Sequence, residues 1–146
     1  MPDSFIEFGQ RLEKQDPIAL TIAAAIQTYS AVKVHPNFEI VEIRRAGDSD
    51  SYSEILVVDC TNDGVPTKNR IGIRYRERLG LRFFDNANKL PEVRALRQDF
   101  PPTSHQNHVA FGEPASLCLY FEPWSAVERT WTAQKHLSRV LWWLAE

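Results

Sequence analysis

The chain has 146 residues, of which 43% are hydrophobic, so it is long and apolar enough for one domain with its own core. Its formal net charge of −2 provides no overall attraction to nucleic acid or anionic lipid, and we expect neither nucleic acid nor a membrane as a partner. Two cysteines cannot form a disulfide framework in a chain of this size, and no signal peptide is recognisable, so the sequence predicts a reducing, cytoplasmic setting.

Two helices are predicted at the start of the chain. Ser4 and Glu7 fit a capping box that opens a short helix. Asp16 and Pro17 fit the N-cap and first position of a second helix, whose apolar run is too short to span a membrane. Apolar residues recur at helical spacing in both segments. They are Phe5, Phe8 and Leu12 in the first helix and Ile18, Ile22, Ala25, Ile26 and Tyr29 in the second.

Four sequential antiparallel strands are predicted next, because the apolar pattern changes to the period of a strand. The first two, at 38–45 and 52–60, are joined by a turn at 47–51 and form a hairpin. The third, at 70–76, alternates apolar and arginine residues, and 79–84 either extends it or forms a separate short piece. The fourth, at 92–97, follows Pro91.

The last part of the chain combines a long aperiodic stretch, 101–129, with a C-terminal helix. Loops of this length without regular structure are usually functional or disordered. Thr130 or Thr132 can cap the helix, in which Leu137, Val140, Leu141 and Leu144 share one face and His136 is predicted to face solvent. The apolar helical ending has no glycine cap, so we expect the chain to be the N-terminal domain of a longer protein, or a partner to cover this end.

Cys118 is the first candidate for chemistry. It lies between a loop rich in proline, histidine and asparagine, 100–108, and a tryptophan-rich segment. A thiol presented between a polar loop and a helix suits a nucleophile or an acyl carrier, whereas the alternative is a small buried hydrophobe. Cys60 ends an apolar strand and is predicted to belong to the core.

The order of elements and the residues around Cys118 resemble the ubiquitin-conjugating (E2) family. Leu90–Val93 is similar to that family's Pro-Pro-x-Val, and 104–108 stands where its His-Pro-Asn would be, with His108 ten residues before the cysteine. Residues 116–119 are similar to its Ile-Cys-Leu, and Trp131-Thr132-Ala133 resembles its Trp-Ser-Pro before the next helix. The segment 116–124 and the Trp-Trp helix resemble more closely the E2 domains of bacterial ubiquitin-like conjugation systems, such as CBASS-type antiphage operons, which are often fused to an E1-like adenylating domain.

The resemblance implies an α+β fold with an N-terminal helix, a four-stranded antiparallel meander, an active-site loop and a C-terminal helix. It implies a single E2-like domain over 1–146, at the N-terminus of an E1–E2 fusion. Cys118 would carry a ubiquitin-like modifier, or another protein C-terminus, as a thioester received from an E1-like enzyme. In CBASS-type systems the cargo is the C-terminus of the nucleotide-cyclising signalling enzyme. No cofactor or metal is expected in this domain, since ATP is used by the E1-like partner.

The departures from the family pattern concern the residues that assist the thiol. Gln106 replaces the proline of His-Pro-Asn, and the oxyanion donor is Asn107 by letter but His108 by spacing, with His105 a further candidate for positioning the loop. A literal His35-Pro36-Asn37 lies far upstream and is interpreted as turn chemistry.

Several alternatives remain at this stage. The chain could be a noncatalytic E2 variant that binds a modifier or partner, with Cys118 purely structural. A Cys–His hydrolase would need its cysteine at a helix N-terminus, and a closed zinc site at His105, His108 and Cys118 would lack paired ligands. The arginine face of the third strand could bind nucleic acid, although a solvated sheet face is favoured. It consists of Arg70, Arg74, Arg76 and Arg78.

Overall fold

A computed structural model describes residues 4–47, 50–66, 71–86 and 88–145. A seven-stranded antiparallel sheet carries helices on one face, which confirms the predicted α+β class with more strands than the four expected. The strands are β1 (Gln10–Arg11), β2 (Phe38–Gly47), β3 (Tyr52–Thr61), β4 (Arg76–Phe84), β5 (Glu92–Ala95), β6 (Gln106–Asn107) and β7 (Ala115–Leu117). The helices are α1 (Ala23–Val34), α2 (Trp124–Val127) and α3 (Ala133–Ala145), preceded by a 3₁₀ turn at Pro17–Ala19.

The strands are arranged in the order β1-β2-β3-β4-β5-β7-β6. Strands β2 to β5 therefore pair with their neighbours in chain order, while β7 is inserted between β5 and β6. The short β6–β7 hairpin brings the loop before Cys118 alongside the cysteine itself. The predicted turn at 47–51 includes residues 48 and 49, which lie outside the described residues.

The main core lies between the sheet and helices α1 and α3. Its sheet side includes Ile43, Leu56, Val58, Leu81 and Phe83, each at most 1% exposed. Helix α3 contributes the apolar face predicted from its spacing, and α1 contributes mostly small residues. The buried helical side chains are Ala25, Thr28, Ala31 and Val32 in α1 and Ala133, His136, Leu137, Val140, Trp143 and Leu144 in α3. None of the helices in the described part of the chain is long and apolar enough to span a membrane.

The prediction of a helix at the N-terminus is wrong. Residues 4–12 run in extended conformation across the opposite face of the sheet, where Ile6 N–H donates to Leu96 O at 2.7 Å and Gln98 N–H donates to Ser4 O at 2.9 Å. Phe5 and Phe8 pack over a second apolar cluster formed by Ile55, Val57 and Leu96. The regular spacing of the phenylalanines thus reflects packing on strands rather than a helical face.

The second predicted helix begins later than expected. Asp16 does cap a turn, since its carboxylate accepts the Ile18 N–H at 3.0 Å, but that turn is the 3₁₀ segment, and α1 begins at Ala23. The start of α1 is capped from a distance by the buried Glu54 of β3, which accepts the Ile22 N–H at 2.8 Å and the Thr21 N–H at 2.9 Å. A carboxylate here also interacts favourably with the positive end of the helix dipole.

The prediction of a strand at 70–76 is also wrong. Arg70 lies outside the described residues, and 71–75 forms no strand; β4 begins at Arg76. Gly72 has a φ of +95°, which interrupts an extended backbone. The buried ion pair of Glu77 and Arg97 then fixes the conformation of residues 72–74. Glu77 accepts the Arg74 N–H at 2.8 Å, and Arg97 donates to Gly72 O at 2.9 Å.

Candidate functional site

Cys118 directly follows β7, the strand next to the edge strand β6 of the sheet. On one side β7 pairs with β5, and on the other Asn107 of β6 lies opposite Ser116. The Cys118 N–H continues this ladder by donating to His105 O at 3.0 Å. The predicted cysteine and the loop before it are therefore held side by side through backbone hydrogen bonds.

The two thiols of the chain have opposite environments. Cys118 is half-buried, and its Sγ lies 3.9 Å from Tyr120 O. Cys60 is 1% exposed, and burial, with the added charges of Glu77 and Asp59, raises the pKa of its thiol to about 12. The prediction that Cys60 belongs to the core is confirmed, and Cys118 is the cysteine that a partner can reach.

A side-chain hydrogen bond distinguishes Asn107 from the other two residues proposed to assist Cys118. Asn107 is the one whose side chain bonds to β7, with Nδ2 donating to Ser116 Oγ at 3.0 Å. Opposed residues of a ladder share a face, and so do residues two apart, which places the Asn107 side chain on the face of Ser116 and Cys118. By the same rule His105, which lies across from Cys118, shares this face, while His108 follows the last residue of β6; all three side chains are exposed.

Gln106 takes the position of the proline that the family pattern leads one to expect. Its side-chain Nε2 donates to Pro101 O at 2.8 Å, so a hydrogen bond within the loop restrains this segment. The upstream His35-Pro36-Asn37 lies in the turn between α1 and β2, where Asn37 Nδ2 donates to Thr61 O at 2.7 Å. Its interpretation as turn chemistry is confirmed.

Helix α3 contacts the cysteine segment at three places that sequence analysis missed. Trp143 Nε1 donates to His105 O at 2.9 Å, and Arg139 Nε donates to Leu119 O at 2.7 Å. His136 Nδ1 and the Tyr120 hydroxyl lie 2.7 Å apart. The spacing of these three helix residues, at 136, 139 and 143, is the signal that marks them as one face of α3.

The prediction that His136 faces solvent is wrong. Its side chain is fully buried, stacked on the Tyr120 ring with an angle of 10° between the planes. Burial lowers the pKa of His136 to about 4 and raises that of Tyr120 to about 12, so both groups are neutral at pH 7. His136 Nε2 is buried without a hydrogen-bond partner among the described residues.

An apolar groove of about 330 Å³ lies next to the loop that precedes Cys118. Three of its large side chains are well exposed, namely Ile71 at 50%, Phe121 at 65% and Trp142 at 44%. Its remaining walls are Ile73, Thr103, Ser104, His105 and Trp143. Through His105 the groove adjoins the backbone that binds the Cys118 N–H.

The arginines near the start of β4 form ion pairs with carboxylates. Arg76 and Arg78 both bind Asp59, at 2.8 and 2.9 Å. Although burial opposes the change, these guanidiniums hold the pKa of Asp59 below its usual range. Arg74 and Arg76 are exposed, as predicted for a solvated sheet face, whereas Arg78 is half-buried and Asp59 is buried. No group of three or more potential metal ligands is found among the described residues.

Comparison with known protein families identifies a match. The model of a family described as Prokaryotic E2 family A matches residues 27–146, a range that includes Cys118, Asn107 and all of α3. No curated protein and no solved structure matches the chain.

Proposed function

Because the chain belongs to prokaryotic E2 family A, we propose that it is an E2-like conjugating enzyme that carries a protein C-terminus as a thioester on Cys118. The observation that carries this proposal is the difference between the two thiols. Within the matched range, Cys118 is partly exposed at the end of β7, whereas Cys60 is enclosed in the core.

The proposed reaction consists of two exchanges at one carbonyl carbon. The Cys118 thiolate attacks the thioester on the E1-like enzyme, a new carbon–sulfur bond forms, and the E1 cysteine leaves as a thiolate. An acceptor amine then attacks the same carbon, loses its proton, and displaces Cys118 as a thiolate while the amide forms. The thiol thus returns to its starting state without an oxidant or a cofactor.

We assign Asn107 as the hydrogen-bond donor to the oxyanion that forms when the carbonyl carbon is attacked. Its amide shares a face with Cys118 and is already oriented by Ser116 Oγ. A positioned donor of this kind contributes roughly 3 to 4 kcal/mol to the stabilisation of a tetrahedral intermediate. His105 and His108 are assigned to shaping the loop, because among these three described residues it is the Asn107 side chain that bonds to β7, whereas His105 acts through its carbonyl.

The proposed partners follow from the chemistry of the carrier. An E1-like enzyme, separate or fused, would consume ATP and charge the cargo, and this domain would need no cofactor. The cargo is a ubiquitin-like protein or the C-terminus of a nucleotide-cyclising signalling enzyme, as in the CBASS-type antiphage systems that the motif around Cys118 resembles. The proposed setting is the bacterial cytoplasm.

A charging assay tests the proposal. The protein is incubated with the E1-like enzyme, a candidate modifier and ATP, and the products are separated on a gel with and without reductant. We expect an adduct that reductant removes, that is absent in Cys118→Ala and that becomes resistant to reductant in Cys118→Ser. Failure to form an adduct with an E1 that is itself charged would contradict the proposal.

A noncatalytic binding module is the second candidate. The observation that favours it is the apolar groove, whose exposed Ile71, Phe121 and Trp142 resemble the aromatic and aliphatic anchors of protein interfaces. A module of this kind would bind the modifier or the E1-like enzyme with unchanged affinity in Cys118→Ala and form no thioester. Binding measured by calorimetry, together with the charging assay, separates the two functions.

A further inference from the structure

Three side chains on one face of α3 contact the segment around Cys118 at three different residues. His136 contacts the Tyr120 hydroxyl, Arg139 donates to the Leu119 carbonyl, and Trp143 donates to the His105 carbonyl. The helix therefore contacts the two residues that follow the cysteine and the residue that faces it across the ladder.

The segment 118–120 depends on such contacts because it belongs to neither a strand nor a helix. The β7 ladder ends at Leu117, and only the Cys118 N–H extends it. The Leu119 carbonyl would lack a strand partner, and Arg139 supplies a charged donor at 2.7 Å. The same guanidinium lies 5.7 Å from the centre of the Tyr120 ring, which restrains the arginine in turn.

The His105 carbonyl links the cysteine segment to helix α3. It accepts the Cys118 N–H at 3.0 Å and the Trp143 indole N–H at 2.9 Å. Trp143 is 5% exposed and stacks on Phe100, so its indole is fixed in the core. A rigid helix therefore sets the position of the acceptor that holds the backbone of Cys118.

We infer that α3 holds segment 118–120 in the conformation required for thioester exchange, with Arg139 and Trp143 as positioning residues for Cys118. That α3 holds the segment follows from the contacts alone, whereas the effect on acyl transfer rests on the proposed function. Trp143 also forms part of the wall of the groove, and Arg139 lies 4.8 Å from the centre of the Trp142 ring, so the binding of partners is measured separately for each variant.

The test uses two substitutions that each remove one donor. Arg139→Met keeps an unbranched side chain, and Trp143→Phe keeps an aromatic ring on the same helix. Thr132→Ala is the control, because Thr132 Oγ1 caps α3 by accepting the Lys135 N–H at 3.1 Å, about two helical turns before Arg139 and about three before Trp143. It weakens the helix without removing a contact to segment 118–120.

Hydrogen exchange of the Cys118 amide is the first readout, and it requires no partner. Each variant is expected to lose roughly three- to tenfold in protection over 117–121, the range for one lost hydrogen bond, while β3 keeps its protection. In the charging assay, the same variants are expected to show a lower kcat, whereas a disturbed groove alone would raise only the KM for the charged E1-like enzyme.

The outcomes separate the two proposals. Unchanged exchange in both folded variants, or equal loosening in Thr132→Ala, overturns the inference whatever the activity. Loosened exchange with an unchanged kcat also overturns it, because the segment would then be held for another reason. If the wild-type protein forms no thioester, the proposed function fails, and the exchange data alone decide whether α3 holds the cysteine segment.

Discussion

At the scale of single residues, burial separates two thiols that are chemically identical. Cys60 is enclosed by the core and keeps its proton at neutral pH, whereas Cys118 lies partly exposed at the end of a short strand. Reactivity toward an electrophile depends on the exposed thiolate, so the two sulfurs will behave as different reagents.

We expect iodoacetamide at neutral pH to modify Cys118 in the folded protein and to leave Cys60 untouched. Mass spectrometry of the digested protein identifies the modified residue. Cys118→Ala should abolish native-state labelling, and both cysteines should react in denaturant. Comparable labelling of Cys60 in the native protein would contradict its enclosure in the core.

A second prediction concerns pH and His136. Its pKa is about 4 in the folded state and near 6.5 when unfolded, so the unfolded chain binds more protons between these values. Above pH 6.5 His136 is neutral in both states and does not lower the free energy of unfolding. As the pH falls from 6.5 toward 4, protonation of the unfolded chain lowers that free energy by about 3 kcal/mol in all. Urea titrations from pH 7 to 4 should show the decline, and His136→Gln should flatten it.

The Asp59 carboxylate provides a check on the pH range assigned to His136. The pKa of Asp59 is lowered below its ordinary 3.8 by Arg78 and Arg76, so its contribution is lost only at still lower pH. A stability curve that remains level down to pH 4 in the wild-type protein would therefore argue against a neutral, buried His136.

The residues of the site show what the sequence could and could not specify. Cys118 and its loop were identifiable because the motif residues are close together along the chain. The sequence leaves open whether Asn107 or His108 is the donor, because letter and spacing disagree, and our proposal of Asn107 is based on its pairing with Ser116. His136 is buried against the rings of Tyr120 and Trp131, two residues outside α3 whose positions the spacing within the helix does not reveal.

At the scale of elements, helix α1 begins where a strand supplies its cap. Glu54 lies in β3, is 0% exposed, and accepts two backbone N–H groups at the helix start as well as a hydrogen bond from Arg45. Local sequence offers no cap at this point, since Ile22 precedes the first helical residue. A cap contributed from a distant strand links formation of the helix to formation of the sheet.

We expect Glu54→Gln to lower the free energy of unfolding by about 2 to 4 kcal/mol, because an amide replaces a buried charge that accepts several hydrogen bonds. Urea denaturation monitored by circular dichroism measures the loss. Glu39→Gln is the matched control: its side chain is 73% exposed, and its ion pair with Arg76 spans 3.6 Å, so we expect a change of about 0.5 kcal/mol or less. Equal losses in both variants would argue against the distant cap.

Two elements were mispredicted for the same physical reason, namely that tertiary contacts override a local pattern. Residues 4–12 have helical spacing but are held as an extended chain by hydrogen bonds to the strand residues they cross. Residues 71–75 alternate like a strand, yet Gly72 turns the backbone and Glu77 binds the Arg74 N–H. Strands β2 and β3 and helix α3 were predicted well because their patterns are long and their packing partners agree with them.

At the scale of the whole molecule, the N-terminal segment closes the face of the sheet opposite the helices. Phe8 lies so near Gly80 of β4 that a Cβ at Gly80 would come within 2.8 Å of its ring. Arginine guanidiniums cover the two phenylalanines, with Arg78 4.3 Å from the Phe5 ring centre and Arg82 5.6 Å from that of Phe8. The family match begins at residue 27, so this closure is contributed by residues outside the matched range.

We expect Gly80→Ala to lower the free energy of unfolding by about 1 to 3 kcal/mol, because the added methyl displaces the Phe8 ring. Phe8→Ala, which removes that ring, should make the methyl group tolerable. The double variant would then lose less stability than the sum of the single losses, and thermal unfolding of all four proteins measures the difference. Strictly additive losses would show that the two positions do not interact.

Strand β3 illustrates a consequence of being covered on both faces. Residues 53–60 are all buried, although a strand of an ordinary antiparallel sheet alternates between buried and exposed positions. In a saturating substitution scan, β3 should therefore show intolerance at consecutive positions, while β2, which keeps exposed positions, should tolerate polar residues at intervals. Because the N-terminal segment covers the second face of the sheet, fewer substitutions in β3 are compatible with folding, and this strand can vary less during evolution.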